Sequence, residues 1–93
     1  MVRELELTVL ADDGAIVYLN GVEAHRFNLP AGPVTPTTLA AYDVRQAEEP
    51  RPNVSRLDPS LLVPGPNVLA VEVHQSSRAS RDLRFDLELV ARP

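Results

Sequence analysis

Three stretches of this chain alternate apolar and polar residues with a period of two. Leu5, Leu7 and Val9 alternate with Glu4, Glu6 and Thr8. Leu69, Val71 and Val73 alternate with Ala70, Glu72 and His74, and Leu83, Phe85, Leu87 and Leu89 with Arg84, Asp86 and Glu88. A strand sends successive side chains to opposite faces, so each stretch has one buried and one wet face. The pattern predicts an antiparallel sheet or sandwich rather than a parallel sheet buried on both sides. Phe85 belongs to the core by its alternation. Glu72, His74, Arg84, Asp86 and Glu88 are expected to form one solvated face. Surface ion pairs there contribute roughly 0–1 kcal/mol each, and their charge discourages edge-to-edge aggregation.

Between the first two of these stretches lies Asp12–Gly32, "DDGAIVYLNGVEAHRFNLPAG". Asn20-Gly21 separates two apolar-containing runs and suits a type I′ turn, whose central residues both need positive φ. A two-residue turn sets the register: Leu19 opposite Val22, Tyr18 opposite Glu23, Val17 opposite Ala24, Ile16 opposite His25. One face is then Val17, Leu19, Val22 and Ala24, an apolar core face. The other is Ile16, Tyr18, Glu23, His25 and Phe27. Asp12-Asp13-Gly14 closes the first strand and turns the chain into the second.

The middle of the chain, from Asn28 to Asn67, holds eight prolines. That density forbids a regular central strand or a long helix and predicts a proline-rich central loop. Short extended pieces are expected at Pro36–Tyr42 and Asn53–Leu57. Asp58-Pro59-Ser60-Leu61-Leu62 reads as one capped helical turn, with Asp at the N-cap and proline at the first helical position. Pro64-Gly65-Pro66-Asn67 then turns the chain into the Leu69 strand. No internal repeat or domain boundary is visible, and the 93 residues read as one domain.

Size and composition bound the function. A domain this short buries only about 60–65% of the surface its unfolded chain exposes, so its stability is modest unless a partner adds buried area. Without cysteine it has no disulfide, thiolate metal site or cysteine nucleophile. The net charge is −4 and the nine arginines are scattered, which argues against nucleic acid as a partner. No apolar run approaches the ~20 residues of a membrane helix, and no signal peptide is visible at Met1-Val2-Arg3-Glu4. No nucleophile elbow or His-x-x-x-His pair occurs, so no enzyme and no cofactor are expected.

"DDGAIVYLNGVEA", followed by "DPSLLVPGPNVLAVEVHQSS" and "DLRFDLELV", resembles the galactose-binding-domain-like jelly roll. Such accessory modules are appended to bacterial extracellular enzymes, glycosidases and metallophosphoesterase-like proteins among them. The resemblance rests on Asp12, Asp13, Tyr18, Asn20 and Gly21, then Leu62, Gly65, Asn67, Val71, Val73, His74 and Gln75. It covers most of the chain outside the proline-rich middle. It implies a small antiparallel sandwich of jelly-roll type, a carbohydrate ligand, and an extracellular setting within a secreted parent. Related modules carry at least one more strand before the acidic turn, so an excised module with an unpaired sheet edge is expected. An open edge invites pairing with another chain, and self-association through an edge or open face is the alternative function. Arg81 stands where related modules have a small polar residue.

Three sets of residues are candidate sites. Tyr18, Glu23 and His25 project together from the outer hairpin face, where an aromatic platform with polar groups suits a sugar. The plainer alternative is a cross-strand cluster that covers a sheet face. His74 and Gln75, with Ser76 and Ser77, end a strand and enter a loop, where binding residues tend to sit; the alternative is a cluster that ties down turn backbone. Asp12 and Asp13 offer two carboxylates to calcium, without the alternate spacing of an EF-hand. Capping of turn N–H groups is their plainer role.

Overall fold

The computed structural model of the chain describes residues 1–41, 52–77 and 84–93. Among them the fold is all-β. Six strands, β1 (Glu4–Asp12), β2 (Gly14–Leu19), β3 (Val22–Phe27), β4 (Asn53–Leu57), β5 (Leu69–His74) and β6 (Arg84–Arg92), form two antiparallel three-stranded sheets. One has the order β4-β1-β6 and the other β3-β2-β5.

The alternating stretches behave as their period demands. Leu5, Leu7, Val9 and Ala11 of β1 are all buried. Beside them on the same face stand Leu57 of β4 and Leu89, Leu87 and Phe85 of β6. The facing sheet contributes Ala15, Val17 and Phe27, so the two sheets share one core in a sandwich-like arrangement. Each fully buried leucine or valine there contributes roughly 1.5–3 kcal/mol. The face expected to be shared by Glu72, His74 and the β6 charges does not exist, because β5 and β6 lie in different sheets. His74 is buried rather than solvated.

The chain changes sheets at Asp13. This carboxylate is fully buried. Its Oδ2 accepts the Ser76 N–H at 2.7 Å, and its carbonyl accepts Asn28 Nδ2 at 3.1 Å. The corner is thereby tied to both the end of β3 and the end of β5.

The β2–β3 hairpin turns as expected: Asn20 and Gly21 both have positive φ, 53° and 81°. Leu19 pairs with Val22 and Tyr18 with Glu23. There the expected register ends. Val17 pairs with His25, not Ala24, and Ile16 with Arg26, not His25. One extra residue, Ala24, forms a bulge, and a one-residue slip sends every later side chain to the opposite face. His25 and Phe27 therefore turn inward and Arg26 outward. The slip lets Phe27 pack against the core instead of projecting into solvent. Val22 is half exposed rather than core, because it sits at the hairpin tip.

The tip itself is locked by the segment that leads into β5, the neighbour of β2 in the same sheet. Asn20 Nδ2 donates to the Leu61 carbonyl at 2.9 Å and to Asn67 Oδ1 at 2.7 Å, while Asn20 Oδ1 accepts the Val68 N–H at 2.8 Å. Asn67 in turn bonds Val63 and Gly65 and so closes the 63–67 turn. Leu61 ends the short 3-10 turn Pro59–Leu61, capped as expected by Asp58, whose side chain accepts the Ser60 N–H. That bond holds the Asp58 carboxyl below the ordinary aspartate value of 3.8. The cap's stabilisation is therefore present above that value and is lost as pH falls through the lower folded pKa.

β2 is covered on both sides. Ile16 is fully buried although it lies on the outer face. Residues 28–41 run along that face without forming a strand. Arg26 Nη1 donates to the carbonyls of Pro30 and Gly32. Ala41 N–H donates to Asn28 O at 3.0 Å, and Ala40 N–H to Gln75 O at 2.8 Å. The extended piece expected from Pro36 is instead a turn, closed by Thr38 N–H to Thr35 O and Thr35 N–H to Thr38 Oγ1. Tyr42, Arg81 and Leu83 lie outside the described residues.

Candidate functional site

The bulge divides the expected hairpin site. Tyr18 and Glu23 remain neighbours on the outer face. His25 is on the inner face, where its Nε2 lies 2.7 Å from Asn53 Oδ1 and its Nδ1 3.2 Å from Ser55 Oγ. Asn53 and Ser55 are the polar residues that β4 turns toward the core. With Asn53 Oδ1 as acceptor, Nε2 carries the proton and Nδ1 accepts from the Ser55 hydroxyl. One imidazole thus satisfies two polar side chains that would otherwise be costly to bury. His25 is a strut between the sheets.

On the outer face, Tyr18 donates its hydroxyl to Glu72 Oε2 at 2.8 Å. Arg26 Nη2 pairs with Glu23 Oε1 at 2.7 Å. Arg26, absent from the expected site, is thus its central cation, and it straps residues 30–32 to the sheet. Only the bulge could reveal this, and the alternation of β3 gives no signal for it. The hydrogen bond to Glu72, with lesser contributions from desolvation and the Glu72 charge, raises the Tyr18 pKa above its ordinary 10.0. A raised phenol pKa means stabilisation fully present below pH 10 and lost as pH rises through the folded value. In a Tyr42→Phe background, absorbance titration is expected to show Tyr18 ionising above free tyrosine, and Glu72→Gln to bring it down. An unchanged midpoint in the Glu72 variant would contradict the assignment.

The strand-end candidates fare differently. His74 and Gln75 line a cleft of about 300 Å³ together with Pro36, Thr37, Thr38, Leu39, Val73 and Ser77. One wall is the Pro36-Thr37 turn, and the other is the end of β5. His74 clamps the two: its Nδ1 lies 2.6 Å from the Thr38 carbonyl. A carbonyl only accepts, so Nδ1 carries the proton. The Ala40–Gln75 backbone bond joins the same two segments. The lining mixes hydroxyls and one amide with the apolar groups of Pro36, Leu39 and Val73. Threonines 37 and 38 and Leu39 were not expected here. They lie in a segment whose position against β5 no local pattern encodes.

Asp12 and Asp13 sit under the same end of the sheet, both buried. Among the described residues no group of three or more His, Asp or Glu side chains could hold a metal ion. No described helix is long and apolar enough to cross a membrane. Comparison with known proteins finds no matching family model, curated protein or solved structure.

Proposed function

We propose that this chain is a non-catalytic binding module that takes a small hydroxyl-rich ligand, a sugar ring, in the cleft between residues 36–39 and the end of β5. The observation that carries the reading is the cleft's lining. Two segments far apart in sequence bring Thr37, Thr38, Gln75 and Ser77 together beside apolar groups, at about 300 Å³. That volume is at the small end of ligand pockets, and a few polar groups on an apolar surface are their usual make-up. Hydroxyls and an amide exchange hydrogen bonds with sugar hydroxyls, while Leu39 and Val73 meet the ring's C–H face. The cleft stands on a rigid strand end, as binding loops commonly do.

The fold reading that goes with it is a jelly roll of the galactose-binding-like kind. From β3 onward successive strands alternate between the two sheets, and a jelly roll is likewise a double-sheet antiparallel fold. The resemblance motif supports it as well: Asn20, Gly65 and Asn67 form one hydrogen-bonded network. In this reading Tyr18, Glu23 and His25 serve the framework, His74 holds the cleft walls together through Thr38, and Gln75 serves the ligand.

A ring of about a dozen non-hydrogen atoms, at roughly 0.3 kcal/mol each, binds near the millimolar level. Titration of the isotope-labelled chain with a panel of monosaccharides is expected to shift amide resonances at 36–39 and 73–77. Gln75→Ala is expected to weaken that binding several-fold. Shifts centred on Tyr18 and Glu23, or no response to any sugar at tens of millimolar (roughly ten times the expected constant), would overturn the proposal.

A further inference from the structure

Among the described residues four strands end the two sheets: β3 and β5 in one, β4 and β6 in the other. Two of these edges are protected. β3 is interrupted by its bulge and carries Glu23, His25 and Arg26. β4 has five residues, with Pro52 just before it and Asp58-Pro59 just after. Bulges, charges, prolines and short length are the devices that keep an edge from pairing. They lie on one side of the molecule, where His25 bonds Asn53 and Ser55.

The opposite side, β5 and β6, carries charges as well, and Pro93 just after β6, but it has no bulge, and β6 is the longest of the four edge strands. β6 pairs with β1 without a break over nine residues, and neither β5 nor β6 contains a proline, a glycine or a bulge. The core is also open here. Leu69 and Val71 of β5 are 41% and 37% exposed, whereas Leu19 and Val17, their partners in β2, are fully buried.

We propose that this side is an interface with a second copy of the chain, in which β6 pairs antiparallel with its counterpart across a twofold axis. Charge complementarity argues for a second copy as the occupant, with the pair centred on Leu89. With Leu89 opposite Leu89, Asp86 faces Arg92 twice, Leu87 faces Ala91 and Glu88 faces Val90. Paired residues share a face, so the leucines continue the core and the ion pairs lie outside. A shift that centres the pair on Glu88 sets two carboxylates against each other. The twofold axis also brings Val71 and Leu69 of both copies toward one another at the other sheet. The inference is independent of the cleft, which lies at the other end of β5.

Solution mass by light scattering tests it. The wild-type chain is expected at twice its 10.2 kDa. Asp86→Arg and Arg92→Asp alone are each expected to weaken the dimer about tenfold or more, and the double variant to restore it. Val71→Lys puts a charge on the open inner edge and is expected to give monomers. Its position is partly exposed, so the lysine reaches water in the monomer, and unchanged circular dichroism verifies that each variant is folded. A strict monomer overturns the proposal. So does a dimer that survives both single charge variants, or one that the double variant fails to restore.

Discussion

Asn20→Ala is expected to destabilise the fold by about 2–4 kcal/mol, from two separate causes. The first is the backbone. Asn20 has φ 53°, and a residue with a Cβ but no locally bonding side chain costs about 1–2 kcal/mol in the left-handed region. The second is the amide. Its three bonds, to Leu61, Asn67 and Val68, contribute roughly 0.5–1.5 kcal/mol each, at the low end because water reaches this site. In a domain of this size the loss corresponds to roughly 10–25 °C in melting temperature. Asn20→Gly separates the causes, because glycine accepts the backbone and removes only the amide. It is expected to cost about half as much. Equal losses for the two variants would mean that the turn conformation contributes little. An Asn67→Ala cycle with Asn20→Gly is expected to be strongly non-additive, since the two amides bond each other.

Gly14→Ala is expected to cost about 1–3 kcal/mol and to disturb the cleft as well. A Cβ at Gly14 would stand 2.8 Å from the Asn28 carbonyl oxygen and 3.2 Å from both Ala40 Cβ and Leu29 Cγ. The backbone oxygen cannot rotate away, so residues 28–41 must lift from the outer face. That segment carries Thr37, Thr38 and Leu39, and its lifting separates the Thr38 carbonyl from His74. Thermal denaturation should therefore show a loss of roughly 5–20 °C, and the proposed sugar response of the cleft should fall with it. Gly21→Ala is the control. Its Cβ would meet nothing within 4 Å, so only the positive φ resists it, and the cleft should be unaffected. If Gly14→Ala left both stability and the 36–39 resonances unchanged, residues 28–41 would not be seated on β2 as described.

These two residues divide what local sequence expresses from what it does not. Asn20-Gly21 is legible because positive φ at two consecutive positions restricts the residues that fit there. Gly14 reads as a turn glycine, yet its φ is not in the left-handed region and its role is to admit another segment's backbone. The cap at Asp58 was equally legible, for a proline at the first helical position leaves few alternatives. The register beyond Tyr18 was not. It depends on where Phe27 finds apolar neighbours, and those include the buried residues of β1 in the facing sheet.

By itself the sequence determined the all-β class, the inner faces of β1, β5 and β6, the hairpin turn and the 3-10 cap. Each follows from a period or a backbone restriction that acts within a few residues. Tertiary structure decided the bulge at Ala24, the inward turn of His25, the assignment of β5 and β6 to separate sheets, and the seat of residues 28–41 against β5. Those outcomes turn on which distant groups bury which others. A short-range pattern carries the need for burial, and only the folded chain supplies the partner that satisfies it.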